Sequence, residues 1–524
     1  MTGSAQDQAA RDDAHLQSLG IKPELKRTLG FLSNFAVAFS YISVSTGTYT
    51  LIALGLGVGG PAFFWSWPLV ILGQTFVALN FAELASHFPV AGSIYQWSKR
   101  LSIRTLGWFT GWFYFWAGVV TVTAVAGTVP LVMSSIFGFK LTDPSPIGIA
   151  NNLVFWAIVT LITTTIINAF GIRLLAIINN IGVAAEIVGM LIFALILLIF
   201  ANHQSPSVLF QTAGVETPET GGYLPVFAVA MFMSLFVVYG FDTAGTFGEE
   251  TLDASRQAPR GILSAIWLSG AVGAVFLLAI ILATPDMAAA LKDPSPISTA
   301  IKAGLGDTFG TVYLVVILAA VYVCTLAIHG ATVRLMFSMG RDRRMPLGSL
   351  WGSVNHTFRT PANAAVAVGV LASIPFFITD SPGLLATGAT GLIYLSYLLC
   401  NIGILIARLR GWPRQQAWFK LGGWGLVVNI LALVWGGVMT LNFALWKDSN
   451  LFGNFGSALR DSTNPSLKIV TSGGNPISWL PDIPFYEGTV LLILVVGIIY
   501  YLVTQSRRQD VVEADQATGE AVIG

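Results

Sequence analysis

Two short polar segments interrupt otherwise apolar stretches of the chain, and both carry residue types able to hold a small charged solute. The first is Ser45-Thr46-Gly47-Thr48, with Ser43 just before it. The second is Tyr239-Gly240-Phe241-Asp242-Thr243-Ala244-Gly245. Breaking a helix there frees backbone groups. Freed N–H groups at a half-helix start can hold a carboxylate, and freed carbonyls can hold an ammonium or a metal cation. Glu186 and His329 also lie deep in apolar runs. An ionisable side chain in such a place is costly, so Glu186 and Asp242 are functional candidates by default. Glu186 can carry a proton or serve as a structural partner to a neighbouring helix. His329 can relay a proton or be a satisfied buried histidine. Packing glycines and back-bonded hydroxyls explain either break alone, but explain less well a matched pair with an acid in one member.

The elements that must position these residues are membrane spans. Of 524 residues, 54% are hydrophobic and only 10% charged, with a mean hydropathy of +0.73; soluble proteins carry about 25% charged residues. Reading apolar runs of about 20 residues against charged breaks gives twelve spans. The first six lie near Leu32–Leu54, Phe63–Ser86, Leu106–Phe137, Asn151–Phe170, Leu174–Ala201 and Leu224–Phe247. The second six lie near Ile262–Thr284, Thr308–Gly340, Pro361–Ile378, Gly383–Ala407, Trp418–Leu445 and Glu487–Gln505. An all-α polytopic membrane protein is expected, with one integral domain (30–505) between tails at 1–29 and 506–524. At 1.5 Å per residue, Glu186 sits roughly 18 Å along its span from Leu174, near mid-membrane. Gly47 falls in the first span and Asp242 in the sixth. Paired Gly-interrupted spans in two halves point to the binding site of an inverted-repeat carrier.

With the N-terminus inside, cytoplasmic segments hold 21 of the 27 Lys and Arg residues and external segments six. This excess places both termini in the cytoplasm. The polar start, Met1 to Leu29, shows no cleavable signal. The net charge of +1 offers no reason to expect a nucleic-acid partner. Cys324 and Cys400 both sit in apolar runs and read as free buried thiols. Trp446 to Tyr486 reads as an external loop and the tail from Arg507 as disordered. No metal-ligand spacing, HExxH, GxSxG or P-loop occurs, so enzymatic function is not expected.

Aromatic residues are frequent in the spans, including Tyr114, Trp116, Phe236, Tyr239, Tyr394 and Tyr397. Most read as packing or interfacial residues. Phe236, about one turn before the second break, is placed to gate a cavity. Aromatic faces also suit organic cations. After the sixth and eighth spans, on the inner side, Glu249, Glu250, Asp253, Arg256 and Arg260, and Arg341-Asp342-Arg343-Arg344, can form ion pairs that hold one gate state, or can be solvated, topology-setting charges.

Ser45–Gly47 with Gly59-Gly60-Pro61, Glu83 in Ala82–Ala85, Phe88–Ser93, Gly240–Ala244 with Glu249-Glu250 and Pro259, and Arg334 with Gly340-Arg341-Asp342 and Pro346 form a set. In that set the chain resembles the amino acid–polyamine–organocation superfamily of permeases over most of its length. Asp at 242, where many members carry Glu, and His329 look like the amino acid/choline branch that includes GABA permeases. The resemblance implies two five-helix inverted repeats plus two helices, with substrate held at the breaks of spans one and six. One departure stands out. Some proton-coupled relatives carry a Lys in the fifth span where a local alignment puts Glu186, and a carboxylate cannot copy a permanent cation.

The expected function is secondary active transport of an amino acid or related GABA-like amine across the cytoplasmic membrane. Ser43, Ser45, Thr46, Gly47, Phe236, Gly240, Asp242 and Thr243 would form the binding site. Glu186 and His329 would be the coupling candidates, for a proton, with sodium left open. Alternatives are an exchanger or facilitator, or a polyamine- or choline-type organocation permease. A channel, a membrane enzyme and a nutrient sensor fit less well. The expected partners are the solute and the lipid bilayer, for a monomer or homodimer.

Overall fold

Apolar runs this long can satisfy their backbone groups in lipid only as helices, and the chain folds accordingly. A computed structural model describes residues 3–138, 152–216, 222–377, 381–415, 417–445, 485–506, 514–515 and 520–521. Nearly all of the expected external loop (446–484) and most of the tail beyond Ser506 lie outside the described residues. Apart from connections and a two-residue ladder in the tail, the described chain is helical.

In chain order the helices are α1 (Gly3–Ser18), α2 (Phe31–Ile42), α3 (Val44–Gly59), α4 (Ser66–His87), α5 (Ser93–Leu101), α6 (Arg104–Phe137), α7 (Leu153–Phe170) and α8 (Ile172–Phe200). Then come α9 (Tyr223–Ala230), α10 (Phe232–Val237), α11 (Thr243–Thr246), α12 (Ala254–Ala283), α13 (Met287–Ala290) and α14 (Pro296–Arg341). The last are α15 (Gly348–Trp351), α16 (Ala362–Ser373), α17 (Pro382–Leu409), α18 (Gly425–Leu445) and α19 (Phe485–Tyr500). Among the described residues, ten stretches are long and apolar enough to cross a membrane. Two shorter ones, Tyr223–Val237 and Ala362–Phe377, fall on the sixth and ninth expected spans. The protein is therefore an all-α, multi-pass membrane protein.

The first span is the most enclosed: 94% of its apolar window is buried, against 17% for the last. α2 and α3 run through the middle, and α19 lies at the edge. Around them α6 packs along α14 and α17, while α12 packs along α2 and α4. Small residues permit the close approaches. A Cβ on Gly118 would meet Thr332 at 2.6 Å, and one on Gly182 would meet Val323 at 2.6 Å. Lipid supplies no hydrophobic drive between helices, so such contacts carry the association.

Three features differ from the sequence reading. The first break is at Ser43, three residues before the first residue of Thr46-Gly47. The eighth span begins at Pro296 rather than near Thr308 and bends at Gly306 (φ 73°), the only residue of α14 with non-helical angles. The polar N-terminus is a docked helix. Leu16, Ile21 and Leu29 join the core, and Asp12 accepts the Asp253 N–H at 2.8 Å. Within α1 itself Leu16 is the only buried side chain among those described, so its charged sequence carried little sign of the docking.

Candidate functional site

At the first break Ser43 adopts a left-handed conformation (φ 30°, ψ 89°) between α2 and α3. Such backbone costs about 1–3 kcal/mol outside glycine and persists only where its surroundings hold it. Glu186 of α8 supplies the hold. Its Oε1 accepts the Ser43 hydroxyl at 2.8 Å, the Ser45 hydroxyl at 2.6 Å and the Ser45 N–H at 3.2 Å. A carboxylate from one helix thus caps the start of another, where freed N–H groups gather. The Thr46 hydroxyl lies 2.6 Å from that of Ser43. The Ser43 and Ser45 hydroxyls thus serve the Glu186 carboxyl rather than freed backbone groups. Gly47 is not the break. It lies inside α3, and a Cβ there would fall 2.7 Å from Val237 Cγ2. Its role is to let the two half-helices α3 and α10 touch.

At the second break the chain leaves the helix from Val238 to Asp242. Gly240 has φ 84°, and a Cβ there would lie 1.9 Å from the Tyr41 ring, so both its angle and its space demand glycine. The Gly240 N–H donates to the Tyr397 hydroxyl at 2.9 Å. Tyr397 in turn donates to Asp242 Oδ1 at 2.5 Å. Tyr114 and Ser93 donate to Oδ2 at 2.5 and 2.9 Å. Gln74 donates to the Val238 carbonyl at 2.9 Å. Asp242 is fully buried and gathers α5, α6 and α17 around the break. Thr243 is equally buried, and its hydroxyl has no partner among the described residues.

Between the breaks lies a small cavity of ≈ 10 Å³ among buried residues, bounded by Tyr41, Thr46, Gly47, Thr121, Phe236 and Tyr239, among others. That is room for about one water and too little for an amino acid. Phe236 meets Tyr239 edge-on at 5.8 Å. His329 stands elsewhere, between α7 and α16. One ring nitrogen is 3.1 Å from the Thr164 hydroxyl and the other 3.1 Å from the Ala365 carbonyl. No hydrogen bond ties it to Glu186 or Asp242.

The face that carries the N-terminus is closed by ion pairs. Glu250 pairs with Arg334 through two contacts of 2.8 and 3.0 Å, both side chains fully buried. Glu249 pairs with Arg341 at 2.8 and 3.0 Å, and Glu83 with Arg408. Lys99 meets Asp342 at 3.2 Å. Burial alone would push the Asp342 carboxyl up, but the Lys99 and Arg341 charges and the Tyr95 hydroxyl together hold it below its usual range. The two charged segments after spans six and eight therefore pair with each other. Tyr114 and Tyr397, read as packing residues, are hydrogen-bond donors to Asp242. Nothing in their spacing marks them, since the pairing joins residues 128 and 155 positions from Asp242.

Residues 29–464 match the model of a family described as amino acid permease. The chain belongs to that family, within the amino acid–polyamine–organocation superfamily. The permease is 29% identical over 468 residues to the amino-acid permease BAT1 of Arabidopsis thaliana, covering 82% of this chain and 87% of its relative. It is 28% identical over 410 residues to the methylthioribose transporter of Bacillus subtilis, with 75% and 82% covered. It is 25% identical over 407 residues to the thiamine transporter thi9 of Schizosaccharomyces pombe, with 69% and 68% covered. These are transporters, not enzymes, and the permease's breaks and ion-pair layer lie within the matched region.

Proposed function

We propose that this permease is a secondary active transporter for an amino acid or a related small amine, GABA-like in size, and that it works by alternating access. The reading rests on one observation above the others: two non-helical junctions, at Ser43 and at Val238–Asp242, meet at one small cavity among buried residues. Irregular backbone at membrane depth is tolerated where it lines a binding cavity. Ser43, Ser45, Thr46, Gly47, Gly240 and Thr243 form or frame the site, Phe236 closes it, and Asp242 shapes it. The first and sixth spans move against the rest, as two inverted five-helix repeats allow. The excess of Lys and Arg on the N-terminal face makes that face cytoplasmic, in the cell membrane. Transport is coupled to protons, with Glu186 the first candidate carrier and His329 the second.

An organocation permease is a second reading. Tyr41, Tyr239 and Phe236 wall the cavity with aromatic faces, which suit cations, and one relative is named a thiamine transporter. The test is uptake by purified protein in liposomes, with labelled amino acids and amines, with and without a pH gradient. GABA-sized solutes are expected to accumulate when the outside is acidic. A panel on which nothing moves would end the transport reading. Uptake indifferent to the gradient would leave a facilitator or exchanger.

A further inference from the structure

Among the described residues, six arginines lay a guanidinium over an aromatic ring: Arg100, Arg256, Arg260, Arg334, Arg341 and Arg408. Four of them also reach an oxygen. Arg334, Arg341 and Arg408 pair with Glu250, Glu249 and Glu83, and Arg100 donates to the Leu19 carbonyl. Arg256 and Arg260 are exposed, and neither guanidinium has a hydrogen bond or ion pair among the described residues. Asp253, three residues before Arg256, accepts from the Gln257 side chain instead. Arg256 lies 5.6 Å over the Trp418 ring and Arg260 4.8 Å over that of Phe31. Stacking occupies the flat face of a guanidinium and leaves its in-plane N–H edge free to hold an oxyanion bidentately.

Both arginines stand on the lipid-facing side of α12. The spacing of Arg256, Arg260, Trp267 and Ala271 keeps them on one helix face. All four are exposed, as is Leu268 beside them, whereas Ile262 and Ala265 on the other side are buried. α12 is long and apolar enough to cross the membrane, so an exposed face carrying Trp267 and Ala271 is turned to acyl chains. From Arg260 to Ala271 the helix rises roughly 16 Å. The arginines lie at the head of that lane, in the first two turns of α12, where long cationic side chains reach the level of lipid phosphates. A cationic pair at the head of an apolar lane is the two-part outline of a phospholipid.

We propose that Arg256 and Arg260 hold the phosphate of an anionic phospholipid whose acyl chains lie along Trp267, Leu268 and Ala271. The lipid belongs to the leaflet on the N-terminal face, which is the cytoplasmic leaflet in the orientation proposed above. Two guanidiniums with no acid to balance them favour a lipid of net negative charge. A zwitterionic lipid would bring its own ammonium toward the same two charges. The rings that carry the arginines tie the site to two other elements: Phe31 opens α2, the half-helix that leads to the first break, and Trp418 precedes α18. An occupied site therefore braces α12 against α2 and stabilises their packing.

The experiment uses full-length protein in neutral detergent, with phosphatidylglycerol, phosphatidylcholine or inorganic phosphate added. Native mass spectrometry counts bound lipid, and the thermal midpoint is read in parallel. Phosphatidylglycerol is expected to bind the wild type and raise its midpoint more than phosphatidylcholine does. Arg256→Gln combined with Arg260→Gln should weaken phosphatidylglycerol binding about 25-fold, about fivefold for each arginine. Equal binding of the two lipids by the wild type would overturn the proposal. So would a double variant that keeps the preference for phosphatidylglycerol. Inorganic phosphate that displaces the lipid, or raises the midpoint as much, would assign the arginines to a free anion and overturn the lipid. Should the double variant fail to fold, the wild type decides alone: salt should weaken its phosphatidylglycerol binding, and binding indifferent to salt would overturn the proposal. The readout is binding, so its failure leaves the transport reading intact, and a solute panel on which nothing moves leaves the lipid site intact.

Discussion

Buried acids are handled in two ways in this molecule. On the N-terminal face each is locked to a guanidinium: Glu250 to Arg334, Glu249 to Arg341, Glu83 to Arg408. Near the cavity Glu186 rests on two hydroxyls and the Ser45 N–H, and Asp242 on three hydroxyls. Both arrangements satisfy hydrogen bonds, but only the first satisfies charge. The face layer is complete within the chain, so it can close as a structural seal. The two acids near the cavity have no such cationic partner among the described residues. A gate wants internal pairing, whereas a site wants a partner from outside.

The largest effect should come from breaking a complete pair. Arg334→Leu leaves Glu250 buried without a cation, a change that costs about 3–5 kcal/mol, and thermal unfolding in detergent should show it. Replacing both partners by Leu and Met should recover much of that loss. If Arg334→Leu is tolerated as well as the double variant, the face layer is not a sealed set of pairs. The comparison sharpens with two matched neutralisations. Glu250→Gln strands a buried guanidinium and should cost nearly as much as Arg334→Leu. Glu186→Gln strands nothing, since its amide oxygen can still accept from Ser43 and Ser45, and should cost about 1 kcal/mol or less. Equal losses would erase the distinction between the two regions.

A smaller effect is expected at Tyr397. Its hydroxyl both donates to Asp242 and accepts from Gly240 N–H, so Tyr397→Phe removes two bonds at the second break. A hydrogen bond to a charged group contributes about 1.5–3 kcal/mol. Tyr114→Phe removes one bond and should cost less. If the two variants unfold at one temperature, the Gly240 contact adds nothing.

How far the sequence reached follows the same division. Apolar helices lie at each of the expected spans, ten of them long and apolar enough among the described residues to cross a membrane, and these and the second break were legible because apolar length and the Gly-Phe-Asp signature are local. Gly240 was readable as a backbone requirement. Gly47 was readable only as a glycine: whether it serves angle or approach depends on Val237, 190 positions away, which brings a side chain to within 2.7 Å of where its Cβ would be. Ser43, a residue that rarely takes positive φ, could not be named as the break without knowing that Glu186 holds it. The charges on the N-terminal face were visible as charges, but their pairing between α4, the segment after α11, α14 and α17 is tertiary. The docking of α1 was hidden because a polar helix anchored by one leucine, Leu16, and by Asp12 looks like a tail.

The smallest effect separates two exposed-side acids by pH. Asp342, beside Lys99 and Arg341, is held below the usual carboxylate range against the opposing pull of burial. The unfolded chain therefore takes up its proton first as pH falls. The stability Asp342 contributes is full above its ordinary value near 4 and is lost as pH drops through its lower folded value. Asp12 runs the other way. Burial raises its carboxyl, against the Asp253 N–H and Arg27, which pull it down. The folded chain then takes up the proton first, and the contribution is full at low pH and is lost as pH rises through the raised value. Asp342→Asn should flatten the acid limb of a stability profile measured between about pH 3 and 6. Asp12→Asn should instead lift stability at neutral pH, since an amide oxygen still accepts the Asp253 N–H. If both variants shift the profile in the same direction, the Lys99 and Arg341 charges do not govern Asp342, and the face layer's internal charge balance ends at the helix ends rather than reaching into solvent.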